Sequence, residues 1–244
     1  METEYVAEVD LSNQSWRNVY TYVQTDEFSP LLKLGFPIKH NHNNYLLIAN
    51  NLVKHSAPVD YQFVITFVNL DSNSIAWEIF VESEGTIFNT PVLYKGSVFV
   101  ANSYLYRIDL DTGGIIWEKP IEGGVGFAGM IMADGKLVIG TEGLKPMHHA
   151  LDPETGEILW STRTTGTAST MEYYNCVIYF TGGGDGKLHA LNANTGEHLY
   201  ILTSPDYAQN SNLYFGTALT VDKTTNRLYT HNWYNALCYQ LPEY

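Results

Sequence analysis

The stretch ALDPETGEILW, residues 150–160, sets a tight polar turn between two apolar runs and ends on Trp160. Asp152 opens the turn with a short side chain that can accept hydrogen bonds from the amides after it. Gly156 stands where a hairpin of this length needs a residue at positive φ. The same pattern occurs three more times. FVNLDSNSIAW ends at Trp77, RIDLDTGGIIW at Trp117 and ALNANTGEHLY at Tyr200, so the aromatic positions are 40, 43 and 40 residues apart. Eight residues before each aromatic stands Asn69, Asp109, Asp152 or Asn192, and Asn73, Gly113, Gly156 and Gly196 hold the late turn position. A near-constant period on this scale marks units that bury their apolar faces only against one another.

Between these units lies a second set of hairpins. Their second strands read YLLIAN (45–50), SVFVAN (97–102), KLVIGT (136–141), VIYFTG (177–182) and RLYTHN (227–232). That makes five hairpins against four turn-plus-aromatic units. The sequence therefore predicts an all-β chain, a single domain over residues 1–244. Its architecture is a five-bladed β-propeller of four-stranded antiparallel blades, with six blades as the alternative. The fifth blade is completed if the C-terminal piece NALCYQLPEY (235–244) shares a sheet with the N-terminal piece EVDLSNQSWRNVYTYV (8–23), which would put Trp16 in the aromatic place and remove open sheet edges.

Composition agrees. Only 16% of residues are charged while 14% are aromatic, with 18 Tyr and 20 Gly, which suits many strands and many turns. The formal charge of −13, from 26 acidic and 13 basic residues, argues against a nucleic-acid partner and favours a basic protein partner. Cys176 and Cys238 could pair only if the fold brought them together. The start, METEYVAEVDLSNQSW, has neither a basic nor an apolar leader segment, and no stretch is apolar enough to insert in a membrane. The expected location is cytoplasmic, or periplasmic if a leader has been removed, and the expected state is monomeric.

The ALDPETGEILW and LNANTGEHLY segments resemble the repeat of the PQQ-like (quinoprotein-type) β-propellers, an A-x-D-x-x-T-G-x-x-x-W unit; RIDLDTGGIIW is a fair match and NLDSNSIAW a loose one. The resemblance spans about residues 36–244. It implies that Trp77, Trp117, Trp160 and Tyr200 are structural residues that dock between neighbouring blades, with Trp16 joining them through the closing blade. The quinoprotein dehydrogenases of this group have eight blades, a calcium site beside the quinone and adjacent cysteines, and this sequence departs from them on all three counts. Other members lack the cofactor and serve as protein-binding scaffolds, and this chain is closer to those. No cofactor, metal or catalytic residue is expected.

Individual residues bear on the same point. The innermost strands offer one mid-strand carboxylate, Glu172, and one carboxylate cannot serve as both acid and base of a glycosidase. His40 and His42 alternate on a strand but read as exposed turn residues, and one of His148 and His149 takes the place of Tyr106 and His189 in other blades, a packing position. His231 is bulky where other blades have small residues. GGGDGK (182–187) lacks the helix and spacing of a phosphate loop.

What remains is loop content around the closing blade. Segments 17–36 and 201–216 read as the two longest insertions. Asp26, Glu27, Phe28, Asp206, Tyr207, Asn210, Tyr214 and Phe215, with Trp233 and Tyr234 nearby, have the mixture of aromatics, acids and amides found at protein contacts. The function expected is a non-enzymatic scaffold presenting an acidic, Tyr-rich rim to a basic protein, in its sharper version a bacterial immunity-type inhibitor of a toxin. The alternatives are a small-ligand binder or a quinone- or sugar-dependent enzyme using the axial funnel, and an envelope-assembly scaffold.

Overall fold

The computed structural model describes residues 3–23, 27–54, 61–83, 89–167, 169–205, 207–208 and 214–242. Among these there is no helix; twenty-one strands follow one another. β1 (Thr3–Asp10) and β2 (Ser15–Val23) form a two-stranded hairpin. Four meanders of four strands come next. They are β3 (Phe28–His40) to β6 through β4 (Asn43–Lys54), β5 (Tyr61–Asn69) and β6 (Ser74–Ser83); then β7 (Val92–Tyr94), β8 (Ser97–Ala101), β9 (Tyr104–Asp109) and β10 (Ile115–Pro120). The third holds β11 (Val125–Ala133), β12 (Lys136–Thr141), β13 (Met147–Leu151) and β14 (Ile158–Arg163); the fourth holds β15 (Glu172–Tyr174), β16 (Val177–Thr181), β17 (Leu188–Asn192) and β18 (His198–Leu202). A three-stranded sheet, β19 (Leu219–Asp222), β20 (Arg227–His231) and β21 (Ala236–Gln240), ends the series.

The described residues fall into two compact units. The first comprises Met1–Ile87, Lys95–Val98 and Arg107–Ile116, and the second Phe88–Tyr94, Phe99–Tyr106 and Trp117–Tyr244. Within the second unit the first strands of consecutive sheets lie side by side, β11 beside β7, β15 beside β11 and β19 beside β15, which is the arrangement of propeller blades. Alternate residues of one strand feed two different cores. Ile178 and Phe180 of β16 pack with Val138 and Ala150 of the preceding sheet, while Val177 and Tyr179 pack with Leu219, Val221 and Leu228 of the following one.

The repeated turn explains how blades lock. Asp152 Oδ1 accepts the amides of Glu154 (2.7 Å) and Thr155 (3.2 Å), and Asn69, Asp109 and Asn192 accept the matching pairs in their own turns. Gly113, Gly156 and Gly196 have φ of 72°, 71° and 73°, and Asn73 takes the same place at 53°. The last three of these turns each receive the tryptophan of the preceding repeat. Trp77 Nε1 donates to the Leu110 carbonyl (2.8 Å), Trp117 Nε1 to Pro153 (3.2 Å) and Trp160 Nε1 to Ala193 (3.0 Å). The turn glycine faces the indole, so that a Cβ on Gly113 or Gly196 would stand 2.7 or 2.5 Å from ring carbon of Trp77 or Trp160. A second hook follows two residues on: Lys119 Nζ donates to Gly156 O (2.9 Å) and Thr162 Oγ1 to Gly196 O (2.5 Å).

The shared closing blade is not found. Among the described residues β1 pairs only with β2, and β21 pairs only with β20. Trp16 does not join the docking set either: it is 63% exposed and stacks on Tyr5, with ring centroids 5.8 Å apart. Trp16 stands six residues after Asp10 rather than eight, the place held in the repeats by Ile75, Ile115 and Ile158, which are exposed as well. In the repeats a bulge before the turn sets Trp160 opposite Ala150 and Tyr200 opposite Ala190, two residues ahead of the turn Asp or Asn. The β1–β2 turn has the same chemistry, with Asp10 Oδ1 accepting the Ser12 amide (2.8 Å) and Gln14 at φ 57°, but its bulge lies further from the turn, between Val6 and Ala7. Glu8, two residues ahead of Asp10, therefore faces Arg17. Arg17 does what the tryptophans do elsewhere. Its Nη2 donates to the Leu70 carbonyl (2.7 Å), the position matching Leu110, Pro153 and Ala193, while Glu8 holds its Nε (2.5 Å). Behind this clip Tyr20 packs on Ile48 and Val68.

Two substitutions compare the two kinds of clip. Trp160→Ala should lower the unfolding free energy by ~3 kcal/mol, as a large buried-ring truncation does, whereas Arg17→Ala should cost only ~1 kcal/mol because its ion pair is half-exposed and screened. Urea denaturation of the two variants would show the order, and an equal or reversed order would count against it.

Candidate protein-contact rim

In a four-strand meander the second-to-third-strand turns and the connections to the next sheet emerge at one end. In the second unit that end gathers residues 102–103, 142–146, 182–187 and 232–235 with the described parts of the connections, 121–124, 164–167, 169–171, 203–205, 207–208 and 214–218. Backbone bonds tie them together: Val125 N to Asn102 O (2.8 Å), Gly184 N to Thr165 O (2.9 Å), Phe215 N to Gly186 O (2.9 Å) and Gly216 N to His231 O (2.8 Å).

The residues singled out for this rim separate clearly. Trp233 and Tyr234 are 68% and 76% exposed, and Tyr214 is 40% exposed with its ring edge-on to Trp233 at 6.2 Å. Buried Asn232 holds them out. Its Oδ1 accepts the amides of Tyr234 (3.0 Å) and Asn235 (2.8 Å), and its Nδ2 donates to Ser204 Oγ (3.1 Å). Tyr214 is seated over Gly186, which has φ 61°. Tyr207 is half-buried, its amide bonded to Ser204 O (3.0 Å). Phe215 is a correction: it is wholly buried among Tyr179, Leu219 and Leu228, because the Phe215–Gly186 backbone bond carries it inward. Asp26, Asp206 and Asn210 lie outside the described residues.

Segment 17–36 is also corrected. It is mostly strand, supplying β2 and the start of β3, and Tyr20 belongs to the core. Glu27 is exposed and lies 3.3 Å from Lys54 Nζ, and Phe28 opens β3 opposite Lys54; both belong to the first unit. His40 bonds Asp111 there (2.7 Å).

Beneath the rim of the second unit is a feature that sequence reasoning missed, since its rings come from two sheets. His148 stacks on Phe180 (4.1 Å), Phe180 on His189 (4.9 Å), and His189 lies against His198 (5.8 Å). Burial drives the His148 imidazole down to about 3, with the neighbouring histidines adding to the effect. Its Nδ1 meets Thr164 Oγ1 at 3.0 Å. His189 is also lowered by burial, against the opposing pull of Asp185, whose carboxylate lies 3.1 Å from Nε2. Burial raises Asp185, but hydrogen bonds from His189 and the Lys187 amide outweigh it and the net shift is down. Tyr106, the matching residue of the second blade, is buried as well.

Catalytic and metal chemistry find few materials in this arrangement. Glu172 is raised by burial and has no second carboxylate in its own strand. Among the described residues no three His, Cys, Asp or Glu side chains are grouped to hold a metal. Cys176 and Cys238 are exposed and free.

Blades built as four-strand meanders, locked by a turn glycine and a docked indole, define a PQQ-like β-propeller. A family model described as outer membrane protein assembly factor BamB matches residues 101–229, more than half of the chain, and the chain belongs to that family. A curated relative, the outer membrane protein assembly factor BamB of Nitrosomonas eutropha, is 28% identical over 152 residues, covering 60% of this chain and 35% of its own length. The chain thus spans about a third of that relative. Among solved structures, BamB from Moraxella catarrhalis superposes with a TM-score of 0.58 at 14% identity, over 88% of this chain and 64% of that one. Saccharomyces cerevisiae Sqt1 gives 0.65 at 14% identity over 99% and 67%. The expected cytoplasmic location does not stand: relatives that are outer membrane assembly factors point to the periplasm instead.

The histidine stack sets a pH dependence. Unfolded histidine titrates near 6.5 while folded His148 stays neutral down to about 3, so the unfolded state takes up a proton first as the pH falls. Stability contributed by the neutral ring is complete above the unfolded value and is lost between these limits; the lowered Asp185 acts in the same direction. The urea midpoint should fall steadily from pH 7.5 to 4.5, and more shallowly in His148→Phe, which keeps a ring on Phe180. Parallel curves for the two proteins would refute the assignment.

Proposed function

We propose that the chain is a non-catalytic scaffold of the cell envelope that binds a protein of the outer-membrane assembly machinery through Tyr214, Trp233 and Tyr234, with Tyr207 on the same rim. The observation that carries this reading is the Asn232 turn. Buried hydrogen bonds are used there to hold two large aromatics in solvent, and rigid exposed Trp and Tyr side chains are what anchor protein contacts at small entropic cost. The family's named role in outer membrane protein assembly supports the setting. The charge of −13 favours a basic surface on the partner.

A narrower form of the same chemistry is inhibition of a basic toxin as an immunity protein, supported by that charge alone. The two are separated by what the chain retains. Purified chain should retain components of the host's outer-membrane assembly machinery, and Trp233→Ala with Tyr234→Ala should weaken that retention by roughly 30-fold, the scale of a 2 kcal/mol hot spot, without moving the melting temperature. Retention unaffected by the double substitution, or absent with the folded native chain, would dispose of the reading.

A further inference from the structure

We infer that His189 of β17 and His198 of β18 bind a cuprous ion between their Nδ1 atoms, a metal site independent of the protein-binding reading above.

Hydrogen bonds settle which ring nitrogens are free. His198 Nε2 lies 3.3 Å from the Arg163 carbonyl. A carbonyl oxygen can only accept, so that nitrogen carries the proton. His189 Nε2 lies 3.1 and 3.2 Å from the two oxygens of Asp185. Asp185 Oδ1 also accepts the Lys187 amide (3.1 Å) and the Thr165 hydroxyl (3.2 Å), so the carboxylate is the acceptor and Nε2 again donates. In each neutral ring Nδ1 is left with a bare lone pair. Both Nδ1 atoms are buried, and neither has a hydrogen-bond partner. Buried acceptors left unmatched cost free energy, and one electron-pair acceptor placed between the rings would satisfy both.

The rings are spaced for such an ion. His189 pairs with Ile201 and His198 with Leu191, so the two imidazoles stand on one diagonal of a cross-strand square whose other corners are apolar. Their centroids are 5.8 Å apart. With metal–nitrogen bonds of ~2.0 Å, two imidazoles on one ion have centroids ~5.2 Å apart at a tetrahedral angle and ~6.3 Å apart in line, and the observed spacing falls between these. Phe180 stacks on His189 at 4.9 Å and separates it from His148, which keeps His148 out of the site.

The donor set selects the ion. Among the described residues no three His, Cys, Asp or Glu side chains are grouped to hold a metal, so the four-donor shell of zinc is not supplied. A monovalent, closed-shell copper ion is satisfied by two neutral imidazoles. Its single charge is offset by Asp185 behind His189, the carboxylate–histidine–metal arrangement that also fixes ring orientation. Leu191 is wholly buried and His198 half-buried, which gives the ion an apolar wall and a way in.

The test uses the native chain with Cys176 and Cys238 alkylated, because exposed thiols also take cuprous ion. Titrated anaerobically against a coloured cuprous chelator, the chain should take up one ion. X-ray absorption should show two nitrogen neighbours and no sulfur. In nitrogen-15 spectra the Nδ1 signals of His189 and His198 should both move, while that of His149, bonded to Ser161 Oγ (2.7 Å), stays. His198→Leu should abolish uptake and leave the copper-free melting temperature within a few degrees. Asp185→Asn should weaken uptake ~10-fold, the lower end of the range for a lost partner of a ligating histidine. No uptake by the alkylated chain, unchanged uptake in His198→Leu, or displacement by equimolar zinc overturns the proposal. Uptake that moves neither Nδ1 signal is adventitious binding and overturns it too. If His198→Leu does not fold, the spectra of the native chain decide alone.

Discussion

The indole N–H of one blade bonded to a turn carbonyl of the next is the contact on which the repeats depend. It works only if three conditions hold together. The turn must be closed by an Asp or Asn so that its carbonyl points outward, its late residue must adopt positive φ, and that residue must present no Cβ to the ring. Asp109 with Gly113, Asp152 with Gly156 and Asn192 with Gly196 meet all three, and each receives the tryptophan of the preceding repeat. Because β16 sends alternate residues into two cores, a blade cannot loosen on one face without disturbing the other. A local backbone requirement is thereby converted into a period along the chain.

That conversion explains how much of the fold could be read beforehand. Positive φ restricts the residue type strongly, so Gly113, Gly156 and Gly196 announced the turns, and the tryptophans at constant offset announced the docking. Register does not leave such a mark. The β1–β2 hairpin keeps the turn chemistry, yet its bulge lies two residues further from the turn, which sets Arg17 opposite Glu8 and gives it the clip, while Trp16 falls two residues short of the docking position. A one-residue change in pairing reverses every side chain beyond it, and composition is blind to that.

The rim was legible in kind and not in detail. Tyr214, Phe215, Trp233 and Tyr234 look equivalent as letters, but a single backbone bond to Gly186 sends Phe215 into the core, and Asn232 holds Trp233 and Tyr234 in solvent. The histidine stack was hidden for another reason. His148 stands four residues before its turn aspartate and His189 three before its turn asparagine, so they point from opposite faces of their own sheets, and only packing sheet on sheet brings both rings to Phe180. Polar groups buried in this way do not add much net stability, but they cost free energy when protonated without a partner. They therefore make the end of the second unit that carries the rim sensitive to acid, while the apolar cores below are not.

The first and last sheets use different chemistry for the same problem. Where a blade has a neighbour on both sides, its docking aromatic and its turn carbonyl are satisfied by copies of the same motif. The Leu70 carbonyl receives no indole, since Trp16 stacks on Tyr5 instead, and is satisfied by a half-exposed arginine held by Glu8, a contact that salt weakens. β21 has the small residue and the facing ring that elsewhere receive a fourth strand, with Cys238 and Tyr229 in the places of Ala190 and Tyr179.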